Sequence, residues 1–106
     1  MKMPTTVRVG PHDIPIRTLD AAGAEKNFGE FHSEHMEIRM RPAFASTQQA
    51  AETALHEVMH AVWHLAGCQA KDGEERLVTV ISTYLCAVIK YNPELISWMQ
   101  EALKKR

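Results

Sequence analysis

The segment Ser46 to Leu65, STQQAAETALHEVMHAVWHL, decides the fold of this 106-residue chain. Most of its residues are good helix formers, and Ser46 with Gln49 three positions later forms a capping box, which marks the start of a helix. Gly67, just beyond, can adopt the left-handed conformation that ends helices. The sequence therefore predicts a helix over roughly residues 46–66.

The residues before this helix follow a different period. Apolar and polar positions alternate there, which is typical of short strands. The alternating apolar positions are Val7 and Val9, Ile14 and Ile16, and Met36, Ile38 and Met40. We expect turns at Gly10-Pro11 and at Gly29-Glu30, and a short helical turn over Ala21 to Lys26.

Two more helices are predicted after the first one. Asp72 and Glu75 repeat the capping-box spacing, and apolar residues then recur every three or four positions, which predicts a helix over roughly residues 73–91. Asn92 as N-cap and Pro93 at the first helical position begin the last helix. A run of strands followed by a run of helices predicts the α+β class, in one domain over residues 1–106.

Composition limits the function classes. The apolar fraction of 45% and the charged fraction of 24% are ordinary for globular chains. Twelve basic against thirteen acidic residues leave a net charge of −1, so we expect no nucleic-acid partner. No apolar stretch approaches the roughly 20 residues of a membrane span, so no membrane partner is expected. With no apolar leader segment, and with Cys68 and Cys86 expected as free thiols, we expect a cytoplasmic protein.

The helix over residues 46–66 carries the pattern H-E-x-x-H, at His56, Glu57 and His60. Residues four apart lie on one face of a helix, so the two imidazoles can bind one metal ion. Glu57 lies beside them, where it can take a proton from a water molecule that the metal activates. Three polar side chains among apolar neighbours are costly unless they are paired, which favours a metal site over a structural cluster.

A catalytic zinc site needs a third protein ligand. His64 is rotated well away from the face that the two histidines share. Glu74 falls on the inward apolar stripe of the next helix, whereas Glu75 already serves its cap. We therefore favour Glu74 as the third ligand and keep Glu75 as the alternative. His32 and His35 are expected to be surface residues rather than a second metal site.

The two helical segments resemble a known family. HEVMHAVWHLAG followed by EERLVTVISTYLCAVIKYNPEL is similar to the small phage and prophage proteins with a minimal zincin core, and more distantly to the ImmA/IrrE-type metallopeptidases. The resemblance covers roughly residues 30–97. It implies a small antiparallel sheet packed on the active-site helix, followed by two further helices. It also implies that peptide binds along an edge strand, here the strand near Met36 to Met40.

The resemblance also implies roles for single residues. His56 and His60 correspond to the metal ligands, Glu57 to the general base, and Glu74 or Glu75 to the third ligand. The glutamate motif of the longer relatives is replaced here by Glu74-Glu75-Arg76-Leu77, so this last match is by position.

Three functions are compatible with these residues. The first is a zinc-dependent metallopeptidase that hydrolyses a peptide or protein substrate, with Glu57 as general base. The second is a non-catalytic zinc-containing module of phage type that regulates or binds a peptide. The third is a structural protein whose motif is accidental. Metal content separates the third from the others, and a Glu57→Gln variant separates the first two.

Overall fold

The computed structural model describes residues 3–9, 11–65, 73–91 and 93–104. These ranges contain a four-stranded sheet and four helices, which confirms the α+β class. In chain order the elements are β1 (Thr6–Val9), β2 (His12–Thr18), α1 (Ala21–Lys26), β3 (Gly29–His32), β4 (Glu37–Met40), α2 (Thr47–Leu65), α3 (Glu74–Tyr91) and α4 (Pro93–Lys104).

The sheet is mixed rather than wholly antiparallel. Its strand order is β1-β2-β4-β3. The pairs β1–β2 and β3–β4 are antiparallel, but β2 and β4 are parallel, with Ile16 opposite Ile38. Helix α1 connects β2 to β3. Strands β3 and β4 then form a hairpin, and β4 is the strand of this hairpin that pairs with β2. The strand near Met36 to Met40 is therefore internal, and β3 is the edge strand on that side.

Two local features of the first half differ from the predictions. Gly29 starts strand β3 instead of forming a turn, and Met36 lies in the β3–β4 turn with a φ of 48°, so β4 begins at Glu37. The short helix over Ala21 to Lys26 is confirmed, and the Asp20 side chain caps it by accepting a hydrogen bond from the Gly23 N–H at 2.7 Å.

Helix α2 begins where its capping residues predict. Ser46 Oγ accepts a hydrogen bond from the Gln49 N–H at 3.0 Å. Gln49 Oε1 accepts one from the Ala45 N–H, also at 3.0 Å, one residue earlier than in the standard capping box. The helix packs on the sheet through a core whose buried members are Ile14, Ile38, Met40 and Ala61. This packing fixes the H-E-x-x-H segment against strand β3.

Helix α3 lies against α2, with Val78 fully buried. Its observed bounds and those of α4 match the predicted helices. Cys86 is a free thiol, as expected. Within the described ranges, every helix is too short or too polar to span a membrane. The predictions made for Gly10, Gly67, Cys68, Asp72 and Asn92 lie outside the described residues.

Candidate metal centre

Three side chains converge between helices α2 and α3. His56 Nε2 and His60 Nε2 lie 3.2 Å apart, and the two oxygens of Glu75 lie 2.8 Å from these two nitrogens, one each. Two nitrogens bound to one tetrahedral zinc ion at about 2.0–2.1 Å would lie roughly 3.3 Å from each other, close to the observed separation. The ligand atoms of the three residues all fall within 4.8 Å of one another. This group can hold a metal ion.

Glu74 occupies a different position in the same centre. Its Oε2 lies 2.9 Å from Nδ1 of His60, the ring nitrogen that faces away from Glu75. The Glu74 side chain is 22% exposed, whereas that of Glu75 is 70% exposed. Glu74 is thus the more buried of the two, as the inward stripe indicates, although both glutamates contact histidines of α2. The group that can hold a metal ion includes Glu75 rather than Glu74, because Glu75 contacts both Nε2 atoms whereas Glu74 contacts only Nδ1 of His60.

A carboxylate on the second nitrogen of a ligating histidine has a known effect. It fixes the tautomer and the orientation of the ring, and it increases the basicity of the nitrogen that binds the metal. Glu74 is placed to do this for His60. The two adjacent glutamates therefore suit two different tasks at one centre.

Glu57 lies beside the group and is 5% exposed. Burial raises the pKa of its carboxyl group from 4.5 to about 7; the nearby carboxylates of Glu75 and Glu30 add to this effect, and His60 opposes it. A carboxyl group with such a pKa can accept a proton near neutral pH, which is what a general base requires. Glu57 lies beside the two histidines, as the sequence predicts. It is not a member of the group that can hold a metal ion.

The centre opens into a cavity of about 540 Å³ between α2, α3 and strand β3. The walls comprise Asn27, Gly29, Glu30, Phe31, Ser33, Trp63 and His64 in addition to the histidines and glutamates of the centre. Gly29 permits the close approach of β3, because a Cβ atom there would lie 2.9 Å from Thr53 Cγ2 and 3.2 Å from Glu57 Cγ. The edge strand beside the centre is thus β3, and not the strand near Met36 to Met40.

The remaining histidines lie outside the metal-binding group. The ring of His64 packs on Phe31, with ring centroids 6.1 Å apart. His32 Nε2 contacts Glu30 Oε1 at 2.7 Å, and Asn27 Nδ2 donates a hydrogen bond to Glu30 Oε2 at the same distance. These contacts lower the pKa of Glu30, with the contact from His32 the larger cause.

The sequence analysis missed Glu30 as part of the cavity wall. The available signal was its period-two spacing from His32, which places both side chains on one face of a strand. That signal was not used because Gly29-Glu30 was assigned to a turn.

Comparisons of this chain with protein-family models, with curated proteins and with solved structures find no match. The interpretation of the centre accordingly depends on its residues and their geometry.

Proposed function

We propose that this chain is a zinc-dependent metallopeptidase whose third metal ligand is Glu75. The observation that supports the proposal most strongly is the joint placement of His56, His60 and Glu75 within 4.8 Å, with the buried Glu57 beside them. Two imidazoles and one carboxylate, with a fourth position left open, form a donor set typical of catalytic zinc. The group could hold other metals, and the choice of zinc follows from this donor chemistry.

Each residue of the centre has a separate task in the proposed reaction. His56, His60 and Glu75 hold the metal, and Glu74 fixes the ring of His60. A zinc ion held there supplies a Lewis acid that polarises the scissile carbonyl and lowers the pKa of water. Glu57 removes a proton from the attacking water and then delivers it to the leaving amine.

The sheet supports binding of an extended substrate. Strand β3 ends the strand order, so its other edge has no partner among the described strands, and Gly29, Glu30 and Phe31 of β3 line the cavity. An extended peptide can add to such an edge through main-chain hydrogen bonds. We propose this edge, rather than β4, as the place where peptide binds.

The test compares wild type with Glu57→Gln after both are loaded with zinc. Gln keeps the shape of the side chain but cannot accept the proton, so hydrolysis of an unbiased peptide library should fall at least about 100-fold. Zinc content should stay the same, because Glu57 is not a ligand. The exposed Glu94→Gln is the matched control and should cleave like wild type.

Three outcomes would contradict the proposal. If both proteins bind zinc and neither cleaves any peptide, the non-catalytic zinc module is the better account. If both cleave equally, Glu57 is not the base, or a contaminating protease is present. A chain that takes up no metal at all would remove both the enzyme and the metal module.

A further inference from the structure

A second cavity, of about 310 Å³, adjoins the metal centre. His56, Glu57 and Glu75 line both cavities, so the two meet at the centre. The proposed reaction uses the larger cavity and assigns no role to the smaller one. A substrate group in the smaller cavity would therefore lie directly beside the reacting bond.

The lining of the second cavity is rich in hydrogen-bond acceptors. Thr53, Thr79 and Thr83 contribute hydroxyl groups, and Glu52 contributes a carboxylate. The described lining residues include no lysine and no arginine, and Glu52 is not part of the group that can hold a metal ion, so its carboxylate is free to pair with a ligand. A ligand with hydrogen-bond donors and positive charge would be complementary to such a wall.

Ser82 provides an independent observation at the same place. It is 2% exposed, it lines the second cavity, and its Oγ has no hydrogen-bond partner among the described residues. A buried hydroxyl group without a partner is unfavourable and is rare in native structures. Its position in the cavity wall allows a ligand to supply the missing partner.

We propose that the second cavity binds the side chain of the peptide residue next to the scissile bond, and that it selects lysine or arginine. This inference rests on the proposed peptidase function. The cationic end donates hydrogen bonds to Ser82 Oγ and pairs with Glu52, while the apolar stem packs against Phe28, which also lines the cavity and is 46% exposed. An acidic side chain would be repelled by the Glu52 carboxylate, and an apolar one would leave Ser82 unpaired.

The test uses matched peptides and the full zinc-loaded chain. A cleaved library peptide is resynthesised with lysine, arginine, norleucine or glutamate on either side of the cleaved bond. For one of the two sides, kcat/KM should be at least about ten-fold higher with a basic residue than with norleucine, since hydrogen bonds to charged groups contribute on that scale. Glutamate should be the poorest of the four.

Two variants connect this selectivity to the cavity. Glu52→Gln should lower the ratio of kcat/KM for lysine over norleucine by about ten-fold, and Ser82→Ala should lower it several-fold. Glu94→Gln is the matched control and should leave the ratio unchanged. Equal cleavage of all four peptides, or a ratio that Glu52→Gln does not change, would overturn the assignment while leaving the peptidase intact.

Binding separates the two proposals if no peptide is cleaved. One library peptide is then synthesised with lysine, arginine, norleucine or glutamate at a single position and labelled with a fluorophore, and the four peptides are titrated with zinc-loaded wild type and with Glu52→Gln by fluorescence anisotropy. Tighter binding of the basic peptides that is lost in Glu52→Gln would support the cavity assignment and reject the peptidase. The absence of any preference in binding would reject the cavity assignment as well.

Discussion

The buried carboxyl group of Glu57 makes the stability of the metal-free protein depend on pH. Its pKa rises from 4.5 in the unfolded chain to about 7 in the folded one. The folded state therefore holds the proton more tightly than the unfolded state does. The stability that this proton contributes is fully present below pH 4.5 and is lost as pH rises through 7. A rise of this size corresponds to about 3 kcal/mol of lost stability once Glu57 is ionised.

Glu57→Gln should remove this penalty, because the amide stays neutral. The two proteins should be nearly equally stable at about pH 4, and the variant should be more stable by about 3 kcal/mol at about pH 8. With a urea slope of about 1–3 kcal/mol per M, the midpoint of unfolding would shift by roughly 1 M or more. The assay is urea denaturation followed by circular dichroism across this pH range, with a chelator present so that no metal binds.

The difference between the unfolding free energies of the two proteins cancels the contributions of the titrating groups that they share. Glu25→Gln, which replaces an exposed carboxylate on α1, is the matched control and should show no such trend. The reasoning would be refuted by a stability difference that stays constant with pH, or by one that favours wild type as pH rises. A constant difference would mean that water solvates the Glu57 carboxylate in the folded protein, and a difference that favours wild type would mean that neighbouring groups stabilise the carboxylate there.

Two further predictions follow, one on the metal and one on the sheet. Glu75→Ala should lose zinc, whereas His64→Ala should retain it. Glu74→Ala should weaken zinc binding by about 10- to 100-fold, as expected for a residue that positions a ligand. The affinities of all three variants are measured by titration against a chelating dye. The reverse order for the two glutamates would return the ligand role to Glu74. Gly29→Ala should cost about 1–3 kcal/mol in urea denaturation, because its Cβ would lie 2.9 Å from Thr53 Cγ2. Adding Thr53→Ser, which removes that methyl group, should recover part of the loss, and no recovery would place the strain elsewhere.

The helical half of the fold could be predicted because its signals are local. The capping residues Ser46 and Gln49 mark the start of α2, where Ser46 accepts a hydrogen bond from the Gln49 N–H and Gln49 accepts one from the Ala45 N–H. The strand pairing of the sheet is harder to predict. The pairing of β2 with β4 depends on where α1 places the following hairpin, and no local sequence pattern indicates that position. Gly29 shows the same difficulty, since its lack of a side chain serves a contact with α2 more than twenty residues later rather than a turn.

The metal centre shows why one part of a site can be predicted while another cannot. His56 and His60 are four residues apart on one helix, so their helix alone brings their rings close enough to hold one ion. Adjacent residues such as Glu74 and Glu75 differ by about 100° around their helix, and the apolar stripe predicts only which of them points inward. It does not predict which ring nitrogen each carboxylate reaches, because that depends on the offset between α2 and α3. His60 has two ring nitrogens, and Glu74 contacts one while Glu75 contacts the other, so in the proposed function the two glutamates divide the tasks of positioning the ring and binding the metal.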